Sequence, residues 1–77
     1  MLIAKRIRII RKRRKISQIR LGEKSGVSLG SVKRFEQSGE ISLISLTKIA
    51  IALEINRELE HLFEDVPPRS IKELLDE

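Results

Sequence analysis

Two short segments, each bounded by a serine and a glycine, restrict the fold of this chain more than any other feature. Ser17 and Gly26 enclose the first segment, and Ser28 and Gly39 enclose the second. A serine at an N-cap accepts a free backbone N–H of a helix, and glycine is favoured just past the C-terminus. The two predicted helices cover about 18–24 and 29–37. Because only three or four residues separate them, the spacing is typical of a helix-turn-helix.

The flanking segments also have helical periodicity, and none alternates as a strand would. Ile3, Ile7 and Ile10 form one apolar stripe on a first helix over 2–14. The helices predicted downstream are a fourth that begins after Ser42 or Ser45 and ends near Leu53, a fifth over 56–63, and a short one over 71–76. The sequence therefore predicts an all-α fold.

The C-terminal third contains more local signals. Asn56 is the predicted N-cap of the fifth helix, and Leu59, Leu62 and Phe63 are predicted on its apolar side. Ser70 and Glu73 have the spacing of a capping box for the terminal helix. We expect one small domain over residues 1–65, followed by an acidic tail over 66–77.

Charge is distributed unevenly along the 77 residues. Residues 1–34 contain 12 basic residues and one acidic residue, whereas residues 54–77 contain three basic and eight acidic residues. A basic half favours a polyanionic ligand, from which the acidic half would be repelled. A basic amphipathic N-terminus is also found in transit peptides and membrane-surface helices, but here the following segments fit it into a packed domain.

The third helix has two different faces when it is projected at 100° per residue. Val32 and Phe35 lie on one side, and Arg34 and Gly30 lie on the other. Arg34 can donate two parallel hydrogen bonds to the O6 and N7 atoms of a guanine in the major groove. Gly30 has no side chain, so the backbone can approach DNA closely.

These residues resemble the phage-repressor/Cro-type (XRE) helix-turn-helix domain. The resemblance extends over about residues 3–63. It is carried by Ser17-Gln18, Leu21, Ser25-Gly26-Val27-Ser28, Val32, Phe35-Glu36, Gly39, Leu46, Lys48-Ile49-Ala50, Ala52-Leu53, Leu59 and Leu62-Phe63. It implies a five-helix lambda-repressor-like domain, here with a short C-terminal helical tail. Such a protein would bind double-stranded DNA as a homodimer, with helix 29–37 in the major groove, and act as a repressor.

The helix projection and this resemblance together give a set of candidate DNA contacts. The expected base contacts are Leu29, Gly30, Ser31 and Arg34. The expected phosphate contacts are Gln18, Ser28, Lys12, Arg13, Lys15, Lys24, Lys33 and Gln37. Gln18 opens the second helix, where the family binds the phosphate backbone and supports the recognition helix.

Arg11 is interpreted differently from the basic residues around it. On the helix projection it lies beside Ile7, and Glu36 lies beside Val32 and Phe35. The resemblance implies that Arg11 and Glu36 form a buried ion pair. We therefore expect a structural role for Arg11.

Two residues depart from the family pattern. Gly22 stands where alanine is usual, which allows the second and third helices to cross closely. Glu54 stands where a capping glycine is usual, so we expect a different turn between the fourth and fifth helices.

Three isoleucines suggest a surface for a second subunit. Ile44 and Ile51 lie off the buried stripe of the fourth helix, and Ile55 follows them. A row of exposed isoleucines on a small protein indicates a buried interface. Alternatively, these are core residues of a slightly rotated helix.

Details at 32–36, 40–43 and 67–71 are similar to small antitoxins that act beside HipA-like kinase toxins. The chain would then repress its own operon and bind the kinase, with the acidic tail as a candidate contact. The alternative to DNA binding is a protein-interaction module, such as an adaptor or a toxin-neutralising protein.

An enzyme is not expected. The chain has no cysteine, no glycine-rich phosphate loop and a single histidine, His61, on a polar helix. We expect no cofactor and no metal. RNA binding by stacking is disfavoured because the two aromatic residues, Phe35 and Phe63, are predicted to be buried. No apolar run reaches the roughly 20 residues of a membrane span, and we expect a cytoplasmic, nucleoid-associated protein of a bacterium or phage.

Overall fold

The computed structural model describes residues 2–76 and is entirely helical over that range. The helices are α1 (Leu2–Arg13), α2 (Gln18–Ser25), α3 (Leu29–Ser38), α4 (Leu43–Ala52), α5 (Asn56–Glu60) and α6 (Ile71–Leu75). The predicted all-α, lambda-repressor-like fold is confirmed. α1 packs on α3, α2 packs on both α3 and α4, and α5 packs on α4.

The predicted caps form at α2, α3 and α4. The hydroxyls of Ser17, Ser28 and Ser42 each accept the backbone N–H three residues later. Gly26 and Gly39 close α2 and α3 in the left-handed conformation. Each cap satisfies backbone groups that a helix end leaves free, so these short helices have well-defined ends.

The core lies between α1, α2, α3 and α4. Its fully buried side chains include Leu21, Val32, Phe35, Ile49 and Leu53. On α1 the buried residues are Ala4, Ile7 and Arg11, and Ile10 is half-buried. The predicted stripe through Ile3 is wrong at that residue, because α1 is rotated so that Ala4 faces the core and Ile3 is exposed.

α1 and α4 both end in Schellman motifs that use a residue other than glycine. Lys15 has φ 56° and Glu54 has φ 60°. The N–H of Ile16 donates to the carbonyl of Arg11, and the N–H of Ile55 donates to that of Ala50. The expected change of turn at Glu54 is therefore wrong, because glutamate adopts the left-handed conformation itself.

α5 is shorter than predicted. It ends at Glu60, and its N-cap is Ile55, which has no side-chain cap hydrogen bond. The prediction of Asn56 as N-cap is wrong, because the backbone of the preceding Schellman motif already leads into the helix. Leu62 and Phe63 lie beyond α5 and are exposed, so the predicted burial of Phe63 is also wrong.

The segment after α5 does not join the core. Every residue from Glu60 to Asp76 is exposed, including all of α6. The radius of gyration is 15.5 Å, whereas a compact domain of this length would have about 11.5 Å. Ser70 caps α6, but Glu73 accepts the N–H of Arg69 rather than that of Ser70.

Candidate nucleic-acid interface

The turn between α2 and α3 holds the two helices close together. Gly26 adopts φ 75°, and its N–H donates to the carbonyl of Gly22. A Cβ on Gly22 would lie 2.9 Å from the carbonyl oxygen of Val27. Val27 itself is buried. The turn therefore depends on the missing side chain of Gly22 and on an anchored valine.

α3 separates its packing residues from its polar residues, as the helix projection predicts. Val32 and Phe35 are buried, whereas Arg34 is exposed. The guanidinium of Arg34 has no hydrogen-bond or ion-pair partner within residues 2–76. Gly30 is exposed, and a Cβ there would meet no atom within 4 Å. Lys33 and Gln37 are also exposed. This face of α3 is open to an approaching ligand.

A buried ion pair fixes α3 against α1. The Nε of Arg11 donates to Oε2 of Glu36 at 2.7 Å, and its Nη2 donates to Oε1 at 2.9 Å. Nη1 of Arg11 donates to the carbonyl of Ile16 at 2.8 Å. Arg11 is only 7% exposed. Its charge therefore serves the fold and is not available to a ligand.

The carboxylate of Glu36 accepts several hydrogen bonds and lies close to two arginines. Burial raises the pKa of its carboxyl, but hydrogen bonds from Arg11 and Gln18 and the charges of Arg11 and Arg8 more than offset this, so the pKa lies below its ordinary value. The Nε atom of Arg8 lies 3.9 Å from Oε1 of Glu36. Sequence reasoning missed Arg8, although it lies one turn before Arg11 on the same helix.

Gln18 links this buried pair to the surface. Its Nε2 donates to Oε1 of Glu36 at 3.0 Å. A side-chain amide has two N–H donors, and Gln18 is the first residue of α2, where free backbone N–H groups attract an anion. The contact with Glu36 thus holds the Gln18 amide at the start of α2.

Ser28 and Ser31 bond to one another at the start of α3. Ser28 Oγ accepts the backbone N–H of Ser31 and donates to Ser31 Oγ at 2.9 Å. Ser31 and Leu29 are half-buried, and Ser28 is exposed. Ser28 is thus already engaged as a cap.

Five exposed cations that the sequence predicts as phosphate contacts lie on α1, α2, α3 and the turn between α1 and α2. None of them forms an ion pair within residues 2–76. They are Lys12, Arg13, Lys15, Lys24 and Lys33. Exposed cations without an ion-pair partner suit a phosphate backbone, because each can displace a counterion.

The three isoleucines proposed for a subunit interface differ in their exposure to solvent. Ile44 is 71% exposed and Ile51 is 58% exposed. Ile55 instead packs against the protein's own core. The expectation that Ile55 is exposed is wrong, because it follows the left-handed residue of a Schellman motif, where an apolar side chain folds back onto its helix. Leu43, which sequence reasoning missed, is exposed next to Ile44.

Neither a metal-binding group of side chains nor a membrane-spanning helix is found within residues 2–76. No group of three or more His, Asp or Glu residues could hold a metal ion there. No helix in that range is both long and apolar enough to cross a membrane.

Comparison with known proteins gives one match. A family model described as helix-turn-helix matches residues 7–59, more than two thirds of the chain. Comparisons with curated proteins and with solved structures gave no match.

Proposed function

Because the chain belongs to the XRE-type helix-turn-helix family, whose non-catalytic domains bind DNA and regulate transcription, we propose that it is a sequence-specific repressor. In this proposal α3 lies in the major groove. The single observation that carries it is the polarity of α3. Phe35 is buried, whereas Arg34 on the opposite side is exposed and has no partner within residues 2–76.

Arg34 is the proposed base-reading residue. A bidentate arginine–guanine contact contributes about 1–3 kcal/mol of discrimination. Gly30, Leu29 and Ser31 lie earlier on α3, where they would approach base edges. Because these three offer few hydrogen-bonding groups, DNA shape would contribute to selectivity.

Gln18 and the exposed cations are the proposed phosphate contacts. One N–H of Gln18 bonds Glu36, which leaves the second for a phosphate oxygen. Sequence-independent affinity would come from Lys12, Arg13, Lys15, Lys24, Lys33 and Gln37. Ser28 would donate a hydrogen bond to a phosphate only after its hydrogen bond to Ser31 breaks. We propose repression by occlusion, because a protein bound across a promoter excludes the polymerase.

A homodimer completes the proposal. Two copies related by a twofold axis would place their recognition helices about 34 Å apart, one turn of DNA. The exposed Ile44 and Ile51 support an interface along α4. The acidic C-terminal segment would then be free of DNA.

An antitoxin role is a second candidate, favoured by the exposed apolar residues after α5, which could bind another protein. Its test is the adjacent open reading frame: a HipA-like kinase gene whose product co-purifies with this chain would support it. An adjacent gene unrelated to kinases would refute the antitoxin role and leave the repressor proposal unchanged.

DNA recognition can be tested with a duplex selected from a random library. Arg34→Ala should weaken binding to the selected duplex roughly 5- to 150-fold and hardly affect a random duplex. Lys12→Ala, the matched control, should weaken both equally, because a phosphate contact carries no sequence information. Fluorescence anisotropy at 50 and 200 mM salt measures both. Equal losses on the two duplexes for Arg34→Ala would refute its base-reading role.

A further inference from the structure

The C-terminal segment, residues 61–76, exposes apolar side chains that its own chain does not cover. Phe63 and Leu75 are each 77% exposed. In α6 the apolar residues Ile71, Leu74 and Leu75 share one side, because they are spaced i, i+3 and i+4. The exposed apolar residues of the segment are Leu62, Phe63, Val66, Ile71, Leu74 and Leu75.

A second uncovered apolar surface lies on α4. Leu43, Ile44 and Ile51 are exposed there, and Thr47 and Lys48 lie between them on the same side. We call these five residues the α4 face. Lys48 is the only charged residue in α4.

The α4 face is too small to hold two copies together alone. Its three apolar residues expose roughly 400 Å², below the roughly 500 Å² of apolar surface per partner that a homodimer buries when about 65% of an 800 Å² interface is apolar. The six apolar residues of the C-terminal segment expose roughly 800 Å² more. The C-terminal segment therefore supplies the apolar area that the α4 face lacks.

We propose that two copies exchange their C-terminal segments, so that residues 61–76 of one copy lie across the α4 face of the other. This inference rests on the homodimer proposed above and adds the surfaces that form it. A second copy supplies both surfaces at once, in the self-complementary arrangement that a twofold axis requires.

Charge and chain direction support this occupant. The segment carries four acidic residues, Glu64, Asp65, Glu73 and Asp76, and two basic residues, Arg69 and Lys72, so its net charge is −2, whereas the one charge of the α4 face is Lys48. α5 packs on α4, so the segment begins beside the α4 helix and near any partner that contacts it. Pro67-Pro68 favours an extended chain, which leads the segment away from its own domain.

Crosslinking between two differently labelled full-length chains tests the arrangement. The chain has no cysteine, so each variant carries a single thiol. An unlabelled Thr47→Cys variant is mixed with a ¹⁵N-labelled Leu74→Cys variant and treated with a short bis-maleimide. We expect at least about fivefold more mixed product than with Lys72→Cys, the control on the polar side of α6.

Equal yields from the Leu74→Cys and Lys72→Cys mixtures would overturn the exchange. So would a monomeric intramolecular product from a chain carrying both Thr47→Cys and Leu74→Cys, since that result places the segment on its own α4. The exchange would also be overturned if no mixed product formed and the C-terminal segment bound a different protein instead.

Sedimentation velocity separates this inference from the dimer itself. The double variant Leu74→Glu/Leu75→Glu should weaken self-association at least about 50-fold, because it places two charges in an apolar interface. Lys72→Glu alters the net charge equally and should have little effect. If the double variant had the same mass as the unmodified protein, the proposed exchange would be refuted but the proposed dimer would not. If the unmodified protein were monomeric, both proposals would be refuted.

Discussion

Residues 2–60 and residues 61–76 contain similar side chains but use them differently. In the first region a carboxylate, Glu36, is buried and shared by Arg11 and Gln18, and it ties three helices together. In the second region Glu73 contacts only Arg69, four residues away, whose side chain is 91% exposed. One ion pair joins distant parts of the chain, and the other stabilises a single turn. The comparison shows that burial and separation in sequence, rather than residue type, decide what a charge contributes.

The largest expected effect comes from removing one carboxylate in each region. Glu36→Ala should lower the free energy of unfolding by about 3–5 kcal/mol, because it leaves the Arg11 charge buried without a partner. Glu73→Ala should cause no measurable change, since an exposed pair contributes little. Urea unfolding followed by circular dichroism, at a concentration where both variants are monomeric, measures both. Similar losses in the two variants would contradict the division into two regions.

A smaller effect is expected at two residues that share the same strained backbone. Glu54 has φ 60° and Phe63 has φ 65°. Glu54→Gly should raise the free energy of unfolding by about 1 kcal/mol, because glycine adopts this conformation without a Cβ clash.

Phe63→Gly is the matched variant in the exposed segment. It should leave the unfolding midpoint unchanged when both substitutions are made in the Leu74→Glu/Leu75→Glu background, where association does not contribute. A stabilisation as large as that of Glu54→Gly would show that residues near 63 unfold together with the core.

The smallest expected effect is a dependence on pH. The pKa of Glu36 is lower in the folded protein than its ordinary value, so the folded state is stabilised above the ordinary glutamate pKa. This stabilisation is lost as the pH falls through the folded pKa. Glu36→Gln should lack that part of the acid dependence, and Glu73→Gln should retain it. If the stability of Glu36→Gln and that of the unmodified protein fell identically as the pH was lowered, this prediction would be contradicted.

Local signals allowed much of the fold to be predicted from the sequence. Ser17, Ser28 and Gly26 act within one turn of a helix, so their neighbours in sequence are also their partners. The outward position of Arg34 was predictable for the same reason, because a helical period fixes it relative to Phe35. The DNA contacts themselves remain predictions.

The errors occur at a helix rotation and at helix ends that residue type alone does not reveal. The rotation of α1 exposes Ile3 and buries Ala4, and it places Arg11 on the same buried side, where it pairs with Glu36, 25 residues away in sequence. Ile55 is half-buried because a left-handed Glu54 turns it back onto the core, although glycine is the residue that usually marks such a turn. Phe63 is apolar and therefore was predicted to be buried, but the helix that would carry it ends at Glu60.

The division of α3 into two sides also bears on how such a protein can acquire new targets. Val32, Phe35 and Glu36 maintain the fold, whereas Gly30, Lys33, Arg34 and Gln37 point away from it. We expect substitutions at the second group to leave the packing intact, so the DNA preference proposed above could drift, or be retargeted by a combinatorial library, at little cost in folding. The same ten-residue helix is thus constrained on one side and free to evolve on the other.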